Sequence, residues 1–232
     1  MSGDPTDRDD DRAPAAAARP RIRPRDASSL ILIDRAGGTN RVLLGRRASA
    51  HAFMPDVYVF PGGRRDAADH ARPYASDLHP LVMEKLLASA RRAMTPKGAR
   101  ALALAAVREL TEETGLILAS AAGGAPAAEL ATLRYVARAI TPPGMPRRFD
   151  TRFFLTFTDE AAIDPSRICD SQELLDLQWL DMSDISCLNM PDITRIILKD
   201  VIEQMRADPS LGFGSAVPFY VRRRGRFVRQ IL

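Results

Sequence analysis

The sequence predicts an α/β fold, and three observations carry that expectation. The chain has 232 residues, enough for one sizeable domain with a full core. Short β-prone runs, bounded by glycine, proline and asparagine, recur along it. Between and after them lie stretches whose apolar residues recur at helical spacing.

Met1 to about Asp26 is rich in Asp, Arg, Ala and Pro and has little to bury, so it is expected to be a flexible tail. The remainder, 27–232, is expected to form a single domain. Ser29–Asp34 (SLILID) and Arg41–Arg46 (RVLLGR) flank RAGGTN, a hairpin signal. DVYVFPGG gives another short strand that ends at Pro61-Gly62-Gly63. From Asp77 to Met94 the pattern is helical, with Leu78, Leu81, Val82, Leu86 and Ala90 as its stripe. Thr95-Pro96 then reads as an N-cap followed by proline at the first helical position. That helix is expected to run to Thr114 and to end on Gly115 in the left-handed conformation, with Leu116 as the apolar contact beyond. After an Ala/Gly/Pro loop, Leu133–Ile140, Asp150–Thr158 and Leu174–Leu180 read as strands. Met190–Asp208 reads as an amphipathic helix with Ile193, Ile196, Ile197, Val201 and Met205 as its apolar stripe. There is no internal repeat.

Composition narrows the function classes. Hydrophobic residues make up 46% and charged residues 27%, as in ordinary soluble proteins. The net charge of +4 suits an anionic substrate but is too small to imply nucleic acid. Cys169 and Cys187 form no CxxC and lack histidines at zinc spacing, so they read as reduced thiols of a cytoplasmic protein. His51, His70 and His79 are scattered. No apolar run reaches membrane-spanning length, and the N-terminus lacks the apolar core of a signal peptide. Oligomeric state is left open, a homodimer among the options.

The chemistry concentrates in AVRELTEETGL, Ala106–Leu116. Residues three and four apart share a helix face, so Glu109, Glu112 and Glu113 project from one side. Leu110, Val107 and Ala103 lie on another side, free to pack on a sheet. Converging carboxylates repel one another unless they are solvated or hold a cation. Hard divalent ions take oxygen ligands and retain positions for substrate phosphates. Adjacent glutamates on a helix, taken alone, more often form a solvated acidic face with an Arg108–Glu112 pair.

The rest of the stretch changes that balance. RELTEETGL fits R-E-U-x-E-E-x-G-U, with U a bulky aliphatic residue, at every specified position, and so resembles the second half of the Nudix box. That box opens with G-x5-E. Here VFPGG supplies the opening, with Gly63 as its glycine, and Asp69 stands in the place of the glutamate. The spacer from Asp69 to Arg108 is 38 residues where the box has seven, and it holds the helix expected within 70–95. GRRASAHAFMPDVYVFPGGRRDAAD (Gly45–Asp69), RRFDTRFFL (Arg147–Leu155) and the ExxxxQW at Glu173–Trp179 resemble the coenzyme A diphosphatase (nudix-type motif 19) branch of the Nudix hydrolases, which carries a long insert in the box. The helical insert is too short for its own core and is expected to pack beside the cleft.

The resemblance implies an α/β/α sandwich with a mixed central sheet. It also implies Mg²⁺- or Mn²⁺-dependent hydrolysis of a nucleoside diphosphate linked to another moiety, here coenzyme A or an acyl-CoA, cleaved to 3′,5′-ADP and (acyl)phosphopantetheine. Glu112 and Glu113 match the main metal ligands, and Glu109 a ligand or base. Arg108 matches the residue that orients the glutamates, and Gly63 the turn whose carbonyl faces the metal. Glu173 stands where many Nudix enzymes place a further acid, a candidate base. Alternatives are a hydrolase of nucleotide sugars, dinucleotides or capped RNA, and a non-catalytic ligand-sensing domain. The retained Arg108, Glu109, Glu112 and Glu113, with no separate helix-turn-helix region, favour the enzyme.

Arg46 and Arg47 at a strand end, and Arg147 and Arg148 before a strand, are candidates for holding phosphates through bidentate contacts. VRRRGRFVRQ near the C-terminus reads as a solvated edge strand. Trp179 and Phe153 read as core residues, and Phe149 as a candidate for base stacking.

Overall fold

The computed structural model describes residues 22–48, 55–89, 94–120, 126–223 and 226–232. Most of the expected tail (1–21), His51, the Phe53–Met54 part of the quoted run, Ala90 of the expected stripe, and Arg224 fall outside the described residues. The strand β1 (Arg25–Asp34) begins at Arg25, so the last two residues assigned to the tail already belong to the sheet.

β1 and β2 (Arg41–Arg47) form the expected antiparallel hairpin, Ile33 opposite Val42. The FPGG run does not continue a single strand. It is divided between β3 (Tyr58–Val59), which pairs with β2, and β4 (Gly62–Arg64), which pairs with β1. Pro61 has no N–H to give a ladder. Its carbonyl instead accepts from Leu30 N at 2.9 Å and Ser29 Oγ at 2.9 Å, which switches the chain from one partner strand to the other.

Past the one-turn 3-10 segment at Ala67–Ala71 come β5 (Tyr74–Ser76), α1 (Pro80–Ala88), α2 (Pro96–Thr114), β6 (Ala119–Ser120) and β7 (Ala127–Glu129). Then follow β8 (Arg134–Ile140), β9 (Phe149–Phe157), β10 (Leu174–Asp181), α3 (Asp192–Ala207), β11 (Pro218–Arg223) and β12 (Arg226–Ile231). The main sheet has the order β10-β2-β1-β9-β8-β11-β12. It is mixed: β1 runs parallel to β9 and β11 parallel to β8, and the other neighbours are antiparallel. β12 is one edge strand, but the basic C-terminal run expected as a single edge strand is divided between β12 and β11, which lies inside the sheet between β8 and β12.

Alternation along β1 builds the layers. Leu30 and Leu32 join a buried cluster with Leu102, Ala103, Ala106 and Leu110 of α2 and with Val82 and Leu86 of α1. Ile31 and Ile33 point the other way and join Ile197, Leu198, Val201 and Met205 of α3. Successive strand residues face opposite sides of a sheet, so an uninterrupted apolar strand demands helices on both faces. The architecture is therefore an α/β/α sandwich. Phe153 is buried in the α3-side cluster. Trp179 is half-buried against the other and donates from Nε1 to Pro165 O at 2.8 Å.

α1 is shorter than the expected Asp77–Met94. Pro80 occupies its first turn, and the His79 imidazole accepts from Leu81 N, so the helix cannot begin earlier. Of the expected stripe, Leu78, Val82 and Leu86 are buried, whereas Leu81 is 44% exposed; starting at Pro80 turns Leu81 outward. α2 matches expectation at both ends. Thr95 Oγ1 accepts from Gly98 N at 3.1 Å, and Gly115 has φ 73°. A second sheet of three short strands, β5-β7-β6, stands where only a loop was expected. Among the described residues no helix is long and apolar enough to cross a membrane.

Candidate active site

The site is assembled where α2 crosses the β1–β4 end of the sheet. Gly62 and Gly63 pair with Ser29 and Ser28. Gly62 is required by close approach of backbone, and Gly63 leaves room for a side chain. A Cβ on Gly62 would lie 2.6 Å from Ser28 O and from Ser29 Cα, and one on Gly63 would lie 2.2 Å from Glu109 Oε1. The absent side chain of Gly63 is the space that the Glu109 carboxylate fills.

Arg108 is the hub. Its Nε donates to Asp69 Oδ1 at 2.9 Å and its Nη2 to Asp69 Oδ2 at 3.2 Å. The same Nη2 donates to Arg64 O at 2.9 Å, and Nη1 donates to Glu109 Oε1 and Glu112 Oε2, each at 2.8 Å. One guanidinium thus ties the β4 loop, the 3-10 turn and two of the three helix carboxylates together. Asp69 is fully buried and also accepts from Asp66 N at 2.8 Å. It is the anchor of Arg108, placed behind the guanidinium.

The three glutamates differ sharply in environment. Glu112 is exposed. Glu109 is largely buried; desolvation pushes its pKa up, opposed by Arg108, while Glu112 and Glu173 add to the rise. Glu113 is buried and accepts from Gly62 N at 2.8 Å. Burial pushes its pKa up to about 8, against the Gly62 hydrogen bond, with Glu109 and Glu173 raising it and Arg47 lowering it. Glu109 and Glu113 are therefore costly to ionise here without a cation, and all the donors are hard oxygens. That is the chemistry of an Mg²⁺ or Mn²⁺ site. Among the described residues no three acidic, histidine or cysteine side chains already converge as a cage. Arg108 holds Glu109 and Glu112 in hand, and an arriving ion would take them over from it.

Strand register places the remaining candidates. Arg47 is opposite Leu174, and Glu173 O accepts from Ala48 N at 3.1 Å. Both lie at the same sheet end as Gly63 and act electrostatically on Glu113. Arg46 instead pairs with Asp56 at 3.0 Å. Arg147 and Arg148 precede β9, whose Phe149 is opposite Arg25, on the far side of β1 from Arg47. Arg147 is exposed. Arg148 donates from Nε to Thr141 O at 3.0 Å and from Nη1 to Ile22 O at 2.7 Å, so two of its donors hold loops together. Phe149 is half-buried on the same side.

Two members of the constellation were not anticipated. Gly62 was visible only as the first glycine of PGG, and its N–H partner depends on the fold. Arg72 lies 3.4 Å from Asp69 Oδ1 and 3.9 Å from Glu112 Oε1; nothing in the local sequence distinguishes it from other surface arginines.

No protein-family model matches the sequence, and no curated protein does. Solved structures do. A NUDIX hydrolase from Alicyclobacillus acidocaldarius superposes with a TM-score of 0.56 at 25% identity, over 82% of this chain and 98% of that one. The NUDIX domain of Shewanella oneidensis NrtR, solved with ADP ribose, gives a TM-score of 0.49 at 13% identity over 79% and 90%. The Nudix hydrolase RenU of M. smegmatis gives 0.48 at 17% over 80% and 88%. The first of these supports both the fold and the catalytic class.

Proposed function

We propose, from the premise that this chain is a Nudix hydrolase, that it is a divalent-metal-dependent pyrophosphohydrolase cleaving the diphosphate of a nucleoside diphosphate joined to another moiety. The observation that carries this reading is the Arg108 hub, which presents Glu109 and Glu112 beside the buried Glu113 and against the side-chain-free Gly63.

Glu109, Glu112 and Glu113 would hold the ion, with the Gly63 backbone next to them. A bound Mg²⁺ or Mn²⁺ supplies Lewis-acid polarisation of a phosphoryl oxygen and a lowered pKa for a ligated water. The protein's own part is positioning and proton management. Asp69 fixes Arg108, and Arg108 fixes the carboxylates before substrate arrives, so little reorganisation is left for the reaction. Gly62 N–H orients Glu113 and favours its ionised form. Glu173 and Glu109 are the candidate bases for activating a water. Arg47 provides positive charge at the cleft for the anionic substrate, with Arg147 and Arg148 at its far side.

Within that class, the resemblance of Gly45–Asp69 and Arg147–Leu155 to the coenzyme A diphosphatase branch favours coenzyme A or an acyl-CoA as substrate, cleaved to 3′,5′-ADP and the phosphopantetheine half. The test is incubation of the purified chain with Mg²⁺ and coenzyme A, its dephospho form, ADP-ribose, nucleotide sugars and dinucleotides, with products identified by mass. Preferential cleavage of coenzyme A supports the branch reading. Preference for a nucleotide sugar or a dinucleotide moves the substrate and keeps the chemistry, and failure to cleave any diphosphate refutes the hydrolase reading.

A further inference from the structure

We infer that the cavity between α2 and the three-stranded sheet receives the non-nucleoside half of the substrate, and that this half is an aliphatic chain carried on the diphosphate. The inference rests on the hydrolase reading above and departs from the coenzyme A preference within it, since the phosphopantetheine half carries amides and a hydroxyl. The cavity has a volume of about 340 Å³, within the lower part of the range of about 300–1,000 Å³ typical of ligand sites.

Its position comes first. Arg108 and Glu112 line it, and both belong to the carboxylate constellation. A chain lying in this cavity would have its phosphate end beside Glu112, the exposed acid of that constellation. Arg72 also lines it. That guanidinium is partly exposed, with Nε 3.4 Å from Asp69 Oδ1 and Nη2 3.9 Å from Glu112 Oε1, so it stands at the mouth with further donors for the phosphate nearest the chain.

Its lining comes second. The walls are Leu104 and Val107 of α2, Ile117 and Leu118 just beyond it, and Pro126 and Ala128 of the small sheet. The Thr111 hydroxyl donates to Val107 O at 3.2 Å, which leaves it only acceptor capacity toward the cavity. Ile117 is 58% exposed, an apolar side chain left for a partner to cover. Among the described residues no aromatic side chain lines it. A nucleobase would find no aromatic ring to stack on there, whereas an aliphatic chain needs none and fits the leucine, valine and isoleucine walls. The alanine-rich strands β6 and β7 gain a purpose: Ala119 and Ala128 line the cavity with single methyl groups, where longer side chains would fill it.

The test uses the full chain with Mg²⁺ and a series of adenosine 5′-diphosphate alkyl esters bearing ethyl, hexyl and decyl groups. kcat/KM should rise by roughly threefold per methylene until the cavity is filled. Ile117→Asp should flatten that series. A second measurement needs neither turnover nor a variant: calorimetric titration of the metal-free wild-type protein with hexyl phosphate and ethyl phosphate, where hexyl phosphate should bind at least tenfold tighter. A flat series together with equal binding of the two phosphates overturns the inference and leaves the hydrolase reading standing. No turnover of any ester overturns the hydrolase reading and the inference with it.

Discussion

The buried carboxylate of Asp69 holds the Arg108 guanidinium through two hydrogen bonds, of 2.9 and 3.2 Å. Asp69 stands where the Nudix pattern has its first glutamate, and the shorter acid still reaches because the 3-10 turn at Ala67–Ala71 brings its backbone close to α2. Removing it leaves a largely buried guanidinium short of an anion. Asp69→Ala should therefore cost about 3 kcal/mol, at the lower end for breaking a buried pair because Glu109 and Glu112 remain. Thermal or urea unfolding measures this, and a loss below about 0.5 kcal/mol would mean that the pair is not holding the turn to the helix.

Gly63→Ala separates placement from stability. The new Cβ would meet the Glu109 carboxylate at 2.2 Å, and a flexible side-chain end gives way more easily than backbone. The variant should fold with a melting temperature close to wild type and lose activity by about tenfold or more, because the displaced carboxylate leaves the productive geometry. Wild-type kcat/KM in Gly63→Ala would show that the Glu109 position is not critical.

Glu113 sets a pH dependence of metal-free stability. Its pKa in the folded chain is raised to about 8, against about 4.3 in an unfolded chain. Between these values the folded state binds more protons than the unfolded state, so stability falls as pH rises through that window. Glu113→Gln should reduce this slope, leaving the part due to Glu109, whose pKa is also raised, and make the metal-free protein more stable than wild type at pH 8. Added Mg²⁺ should oppose the wild-type slope, since ligands bind it deprotonated. Unfolding curves from pH 5 to pH 8, with and without Mg²⁺, test all three statements. Identical slopes for wild type and Glu113→Gln would contradict them.

Much of the scaffold was legible because its signals are local. Thr95-Pro96 and Gly115 bounded α2 to the residue, and RAGGTN marked the β1–β2 hairpin. The split of FPGG between two partner strands was not, because Pro61 serves as an acceptor to β1, a contact 32 residues away in sequence. The small sheet escaped notice because strands of two or three residues, rich in alanine, have neither β-propensity nor period. At the site, helical spacing put Glu109, Glu112 and Glu113 on one side of α2. Their separation into one exposed and two buried acids depends on β1 and β4, which no spacing reveals. Arg72 became a neighbour of Glu112 only through the turn that follows Asp69.

Exposed Glu112 offers the most direct test of metal-assisted hydrolysis, because changing it disturbs little packing. The decisive measurement is kcat/KM for Mg²⁺-dependent cleavage of the best diphosphate substrate by wild type and by Glu112→Gln, each checked for an unchanged melting temperature. A metal ligand should matter at least as much as the groups that merely support one, so the loss should be about a hundredfold or more. Glu112→Gln retaining activity within a few-fold of wild type, or wild-type turnover unaffected by chelation of the metal, would contradict the account.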